Sequence, residues 1–157
     1  MATLVPSDFA IPQRLETSDL VIRPLRMRDV YFDYIAVMSS LDVIRATRGG
    51  DWPTSDLTFE QDLIDLGWHE KEFQNRTSFA YTVMDPAETE CLGCIYLHPP
   101  GYRTNATGSA DVDVSFWVTQ TAYDHGMYPK LYAAIDDWLR HWPFRSIGYS
   151  NSLLPTR

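Results

Sequence analysis

The stretch ADVDVSFWVTQTAYDHGMYPKLYAAIDDWL, residues 110–139, decides how the chain is read. Its opening residues alternate. Val112, Val114, Phe116 and Val118 fall on one side, with Asp111, Asp113, Ser115 and Trp117 on the other, the period-two signature of a strand. Residues 119–127 form a polar turn. From about 128 to 142, Leu131, Ile135, Trp138, Leu139 and Trp142 recur at helical spacing and make one apolar stripe. A short strand, RSIGYSN (145–151), follows. Strand, helix and strand make a βαβ crossover, expected to be right-handed with its two strands parallel.

Upstream, SFAYTVM (78–84) and CLGCIYL (91–97) read as strands separated by the turn sequence MDPAETE. With 110–118 they form an antiparallel meander. Ahead of them lie a strand at 19–26, a helix at 28–40 and a Gly/Pro/Asp-rich loop at 41–57. Thr58 and Gln61 form a capping box. It opens a helix that runs to about Gln74, with Phe59, Leu63, Leu66 and Phe73 as its core side. The order is β-α-α-β-β-β-α-β, an α/β mixed sheet with helices on both faces. Residues 1–157 are expected to be a single domain, with 1–14 a flexible N-terminal segment.

Apolar residues make up 45% of the 157 and charged residues 22%, a composition expected of a soluble globular domain. No apolar run reaches the roughly 20 residues of a membrane span, and the N-terminus lacks the pattern of a secretory signal. Net charge is -8. That argues against nucleic acid, which calls for clustered Lys and Arg, and suits a cationic or amine-bearing ligand. Cys91 and Cys94 form a C-x-x-C pair on a strand, where they are expected to point to opposite faces as packed, reduced thiols rather than a redox site. The expected compartment is reducing cytoplasm. The four histidines have no ligand spacing, so no metal is expected.

In open α/β sheets, ligands favour the carboxyl ends of strands where connectivity changes. Here the meander gives way to the crossover at Val118. A helix N-terminus follows, whose free N–H groups attract anions. The turn 119–127 is therefore the candidate site.

The ordered set of segments resembles the GCN5-related N-acetyltransferases (GNAT). LETSDLVIRPLRMRDV is similar to that family's first strand and helix entry. SFAYTVMDPAETECLGCIYL resembles its central hairpin, with Gly93 at the usual glycine, and VDVSFWV its A-E-I-G-Y-W-V strand, which puts Asp113 at the acidic position. The resemblance covers roughly residues 15–151. It implies an acyl-CoA-dependent N-acyltransferase, with acetyl-CoA as co-substrate and an amine acceptor. The family loop, Q/R-x-x-G-x-G/A, falls on Tyr123, Asp124, His125, Gly126, Met127 and Tyr128. Gly126 is kept. Asp124 is unfavourable beside a pyrophosphate, and Pro129 removes an N–H, while His125 and Lys130 could restore positive charge. The family continues with a further helix and strand, whereas this sequence stops at Arg157. A homodimer through the C-terminal edge strand is therefore expected.

The resemblance implies direct attack of an amine on a thioester, with Asp113 as base, Ser115 orienting a water, and Tyr149 as an alternative general acid. Backbone groups of Trp117, Val118 and Thr119 would hold the thioester and pantetheine arm, and Asn151 would touch CoA. Trp52 is a candidate for stacking on the acceptor. Plainer readings stand beside these. Asp113 can lie on a solvated sheet face, Tyr149 can be a strand aromatic, and Trp52 can be a loop anchor. The altered loop also fits a catalytically inactive GNAT-like domain serving as a ligand-binding or assembly module.

Overall fold

Six strands form one sheet whose spatial order equals their sequence order: β1 (Leu15–Glu16), β2 (Val21–Pro24), β3 (Phe79–Met84), β4 (Cys91–His98), β5 (Asp113–Val118) and β6 (Gly148–Tyr149). The computed structural model describes residues 2–156. Neighbours are antiparallel through β5, and β5 and β6 are parallel, as the crossover requires. Helices α1 (Val30–Met38), α2 (Leu41–Arg48) and α3 (Phe59–Gln74) precede β3; α4 (Gln120–Asp124) and α5 (Met127–Leu139) connect β5 to β6.

Alternation sends every second side chain to opposite layers. Ile22, Tyr81, Ile95, Val114 and Phe116 pack with Leu131, Ile135 and Leu139 of α5. Val21, Ala80, Cys94, Tyr96 and Trp117 pack with Val37, Ile44 and Leu66 of α1, α2 and α3. Both faces of β5 are thus covered, and the solvated face considered for Asp113 is absent.

The N-terminal segment makes contacts with the domain: Val5 is buried, the Arg76 guanidinium donates to the carbonyls of Pro6 and Phe9, and the Tyr81 hydroxyl donates to Pro12. Three sequence-based expectations change. The loop expected at 41–57 begins with α2, whose short apolar face of Val43 and Ile44 was masked by the glycines and proline behind it. Helix α3 has its capping box, with Thr58 Oγ1 accepting from Gln61 N at 3.1 Å and Gln61 Oε1 from Thr58 N at 2.9 Å. Yet its inward side differs, because Phe59 is exposed and Asp62 is buried. Finally, the β3–β4 register passes from Val83↔Gly93 to Met84↔Cys91, so Leu92 is an extra residue. That bulge turns Cys91 and Cys94 to the same face. Both thiols are free, and burial pushes Cys91 up to about 12.

Gly93 is required by contact, since a Cβ there would lie 2.1 Å from the Trp117 carbonyl oxygen of β5. Gly93→Ala must spread the β4–β5 pair. It is expected to lower unfolding free energy by about 1–3 kcal/mol, read as a lower urea midpoint at unchanged slope.

Candidate active site

The turn expected at 119–127 is largely helical. Thr119 caps α4, its Oγ1 accepting from Ala122 N. The N–H groups of Tyr123, His125 and Gly126 donate to carbonyls at Thr119, Thr121, Ala122 and Tyr123 within the same turn. They are therefore occupied rather than presented to a phosphate. Gly126 has φ +81°, and a Cβ added there would meet nothing within 4 Å, so the left-handed link between α4 and α5 explains this glycine. The His125 ring meets the Thr121 carbonyl at 2.7 Å, and Lys130 lies 3.8 Å from Asp19. Met127 packs on the core. Tyr123 and Tyr128 do come together, 5.6 Å between ring centroids, and with Leu153, Leu154 and Pro155 they line a groove of about 510 Å³.

The expected catalytic set separates. Asp113 is fully buried; its carboxylate accepts from Arg103 N (3.0 Å), Thr107 Oγ1 (2.9 Å) and Ser150 Oγ (2.6 Å). Those donors make it a structural anchor that joins the loop after β4 to the segment after β6. Ser115 is also fully buried and accepts from Arg48 Nε at 3.1 Å. Tyr149 packs among Phe116 and Tyr132 on the α5 side and donates to Asp136. It lies across the sheet from Ser115, so the two cannot act on one group. The side chains of Trp117 and Val118 are core, with Trp117 Nε1 donating to the Tyr96 hydroxyl.

Past β6, the chain holds the edge of β5. Asn151 Oδ1 accepts from Phe116 N at 3.0 Å, and its Nδ2 donates to Phe116 O at 2.9 Å and to Tyr128 Oη at 2.8 Å. The next residues cross to α2, with Ser152 N on Arg48 O and Leu153 N on Thr47 O. The Tyr128 hydroxyl donates to Leu153 O. Gly49, with φ +89° at the end of α2, leaves room for this segment: a Cβ there would stand 2.0 Å from Ser152 Oγ. Thr119 N bonds to β4 through Leu92 O. Alternation therefore turns the Val118 N–H, like that of Phe116, toward this edge.

A second feature was not found from sequence. Between α1–α3 and the sheet lies a cleft of about 200 Å³, lined by Asp33, Asp62, Asp65, Glu72, Arg48, Trp52, His69, Tyr96, His98 and Tyr102 among others. Trp52, singled out as an acceptor contact, lines it. The signal was the spacing of Asp62, Asp65, His69 and Glu72, which share one stripe of α3 where an apolar stripe was expected. Arg48 lies 4.3 Å over the Tyr96 ring and reaches Ser115, joining the cleft to β5.

Burial controls the charges here. It raises the carboxyls of Asp33, Asp62, Asp65 and Glu72, with Asp33 and Asp62 also facing each other. Burial, reinforced by the Arg48 charge, lowers His69 to about 4; burial and the neighbouring His69 lower His98 to about 3. Both imidazoles are neutral at pH 7. Among the described residues no cluster of three or more His, Cys, Asp or Glu could hold a metal ion, and no helix is long and apolar enough to cross a membrane.

No protein-family model and no curated protein matches the sequence. Solved structures do match. RimL, a ribosomal L7/L12 alpha-N-protein acetyltransferase in complex with coenzyme A, shares 14% identity at TM-score 0.61, over 82% of this chain and 68% of that one. A ribosomal-protein-S5-alanine acetyltransferase from Vibrio fischeri gives 14% and 0.57 over 82% and 67%. The spermidine N-acetyltransferase from Vibrio cholerae in complex with CoA and spermine gives 14% and 0.53 over 78% and 64%. The chain thus spans about two thirds of the length of these proteins. Its mixed sheet, with an antiparallel run ending in a parallel pair, is the fold of the GNAT acetyltransferases.

The histidines fix a pH dependence. From pH 6.5 down to about 4, the unfolded chain binds protons that the folded His69 and His98 refuse, so acidification removes stability. The raised carboxyls act oppositely, because the folded state keeps protons that the unfolded chain releases above pH ~4. Each histidine contributes at most about 1.4 kcal/mol per pH unit. A His69→Gln/His98→Gln variant should therefore lose less stability than the parent between pH 6.5 and 4.5, measured by urea midpoints.

Proposed function

We propose that this protein is an acyl-CoA-dependent N-acyltransferase whose amine acceptor enters the cleft between α1–α3 and the sheet. The observation that carries this reading is the contact of Arg48 with Ser115, where the acidic cleft meets β5 close to the end of its pairing with β6. An acyl group lying along the β5 edge would be within reach of an amine in the cleft. The Val118 N–H is the donor aimed at its carbonyl. Shared fold supports the reading, and CoA is named with two of the similar structures.

The acceptor arrives as an ammonium and must lose a proton before attacking. Glu72 is the proposed base in place of Asp113. It lines the cleft, burial raises its carboxyl, and its Oε1 stands 3.9 Å from the neutral His69 ring. Once neutral, the amine attacks the thioester carbon, the carbonyl electrons move to oxygen, and their return expels CoA thiolate. The attacking nitrogen, cationic once the thiolate leaves, passes its extra proton to that thiolate, giving the amide and CoA thiol, and Glu72 returns its own proton to solvent. The acyl donor is proposed to displace Asn151 from Phe116, because both need the same strand edge.

Calorimetric titration with acetyl-CoA is expected to give micromolar binding to the folded protein, and Asn151→Ala should tighten it several-fold. No binding at millimolar acetyl-CoA would overturn the reading. With an accepted amine, Glu72→Gln should lower kcat about a hundredfold with a smaller change in KM. Unchanged turnover would remove Glu72 from the mechanism.

A further inference from the structure

The inner end of the cleft contains two carboxyls that meet each other and no cationic group of the protein. Asp62 is 1% exposed and Asp33 3%. No N–H and no hydroxyl of the protein reaches either Asp62 oxygen, and the one group it meets is the Asp33 carboxyl. None of the ion pairs among the described residues includes Asp33, Asp62 or Asp65. His98 Nδ1, further along the same wall, is likewise buried without a partner. A carboxyl pair kept only for packing would be expected to carry donors around it, as Asp113 does. Here the unfilled acceptors border open space instead.

We infer that Asp33 and Asp62 form a subsite for an ammonium group, and that the acceptor is a small diamine held there by one end while its other amine faces β5. The second half of this inference rests on the acyl-transfer reading; the subsite itself does not. Two carboxyls in contact cannot both stay ionised, so the pair on its own shares a proton. An ammonium replaces that proton as the counter-charge and releases it to solvent. The groups facing the pair are Asp29 ahead of α1, already bonded to Arg23; Asp65 on α3; and Cys91 and Cys94 from β4. None supplies a cation. Arg48 is the permanent cation of the lining, and it is engaged with Tyr96 and Ser115. A volume of about 200 Å³ suits a short aliphatic chain.

The test is calorimetry without acyl donor, comparing 1,4-diaminobutane with 1-aminobutane at pH 7.5 in two buffers of different ionisation heat. The diamine should bind at least tenfold tighter, with a buffer-dependent heat marking proton release. In Asp62→Asn the advantage should fall below about threefold and the buffer dependence should vanish. Equal binding of the two amines to the parent, or an advantage retained in Asp62→Asn, overturns the subsite. Should Asp62→Asn fail to fold, Asp33→Asn reads the same quantity. A short peptide with two amino groups that binds while the diamine does not would overturn the small-molecule assignment. Diamine binding without acetyl-CoA binding would leave the subsite and remove the acyltransferase reading. Acetyl transfer with no diamine preference would do the reverse.

Discussion

The carboxylate of Asp113 ties the start of β5 to two other segments of the chain. Burying a charge is costly unless donors surround it. Asp113 gathers them from the loop after β4 and from the segment after β6. Arg103, whose N–H is one donor, extends the network by placing its guanidinium on the carbonyls of Arg48, Gly49 and Ser150. The start of β5, the end of α2 and the C-terminal segment are thereby held in one frame. The parallel β5–β6 pairing, only two residues long, could not hold that frame alone.

This frame divides the polar groups by role. Around Asp113 both carboxylate oxygens are met by donors. Across the same face of the sheet, α3 turns carboxyls and a histidine toward the cleft while Ile64 and Trp68 face outward. Such a helix gains little from burying its own apolar residues. Its position depends on Leu66, the capping box and packing against α1, and its polar stripe is available for ligand chemistry.

The sheet was legible because its strands follow the simple alternation of Val, Ile, Phe and Tyr, and because α5 carries a full apolar stripe. Two short helices were not. α2 and α4 have too few turns for periodicity to exceed noise, and glycine follows each of them. The register slip at Leu92 is set by backbone pairing with β3, which no side-chain pattern reports. The candidate site was only partly legible. Asp113 was located by its place in a strand, but alternation cannot say whether a polar face meets water or another layer. The donors that claim it come from residues 103, 107 and 150, far apart in sequence. The acidic stripe of α3 was present as spacing but was hidden by Phe59, Leu63 and Phe73, which suggested an ordinary core helix.

Gly49 carries a consequence of a different kind. Its missing side chain is the space occupied by Ser152, so the end of α2 and the C-terminal segment are fitted to each other as lock and bolt. The two positions cannot change independently. Across a lineage, a larger residue at 49 would have to arrive with a rerouted terminus, and the pair would leave a correlated trace although most of the chain runs between them.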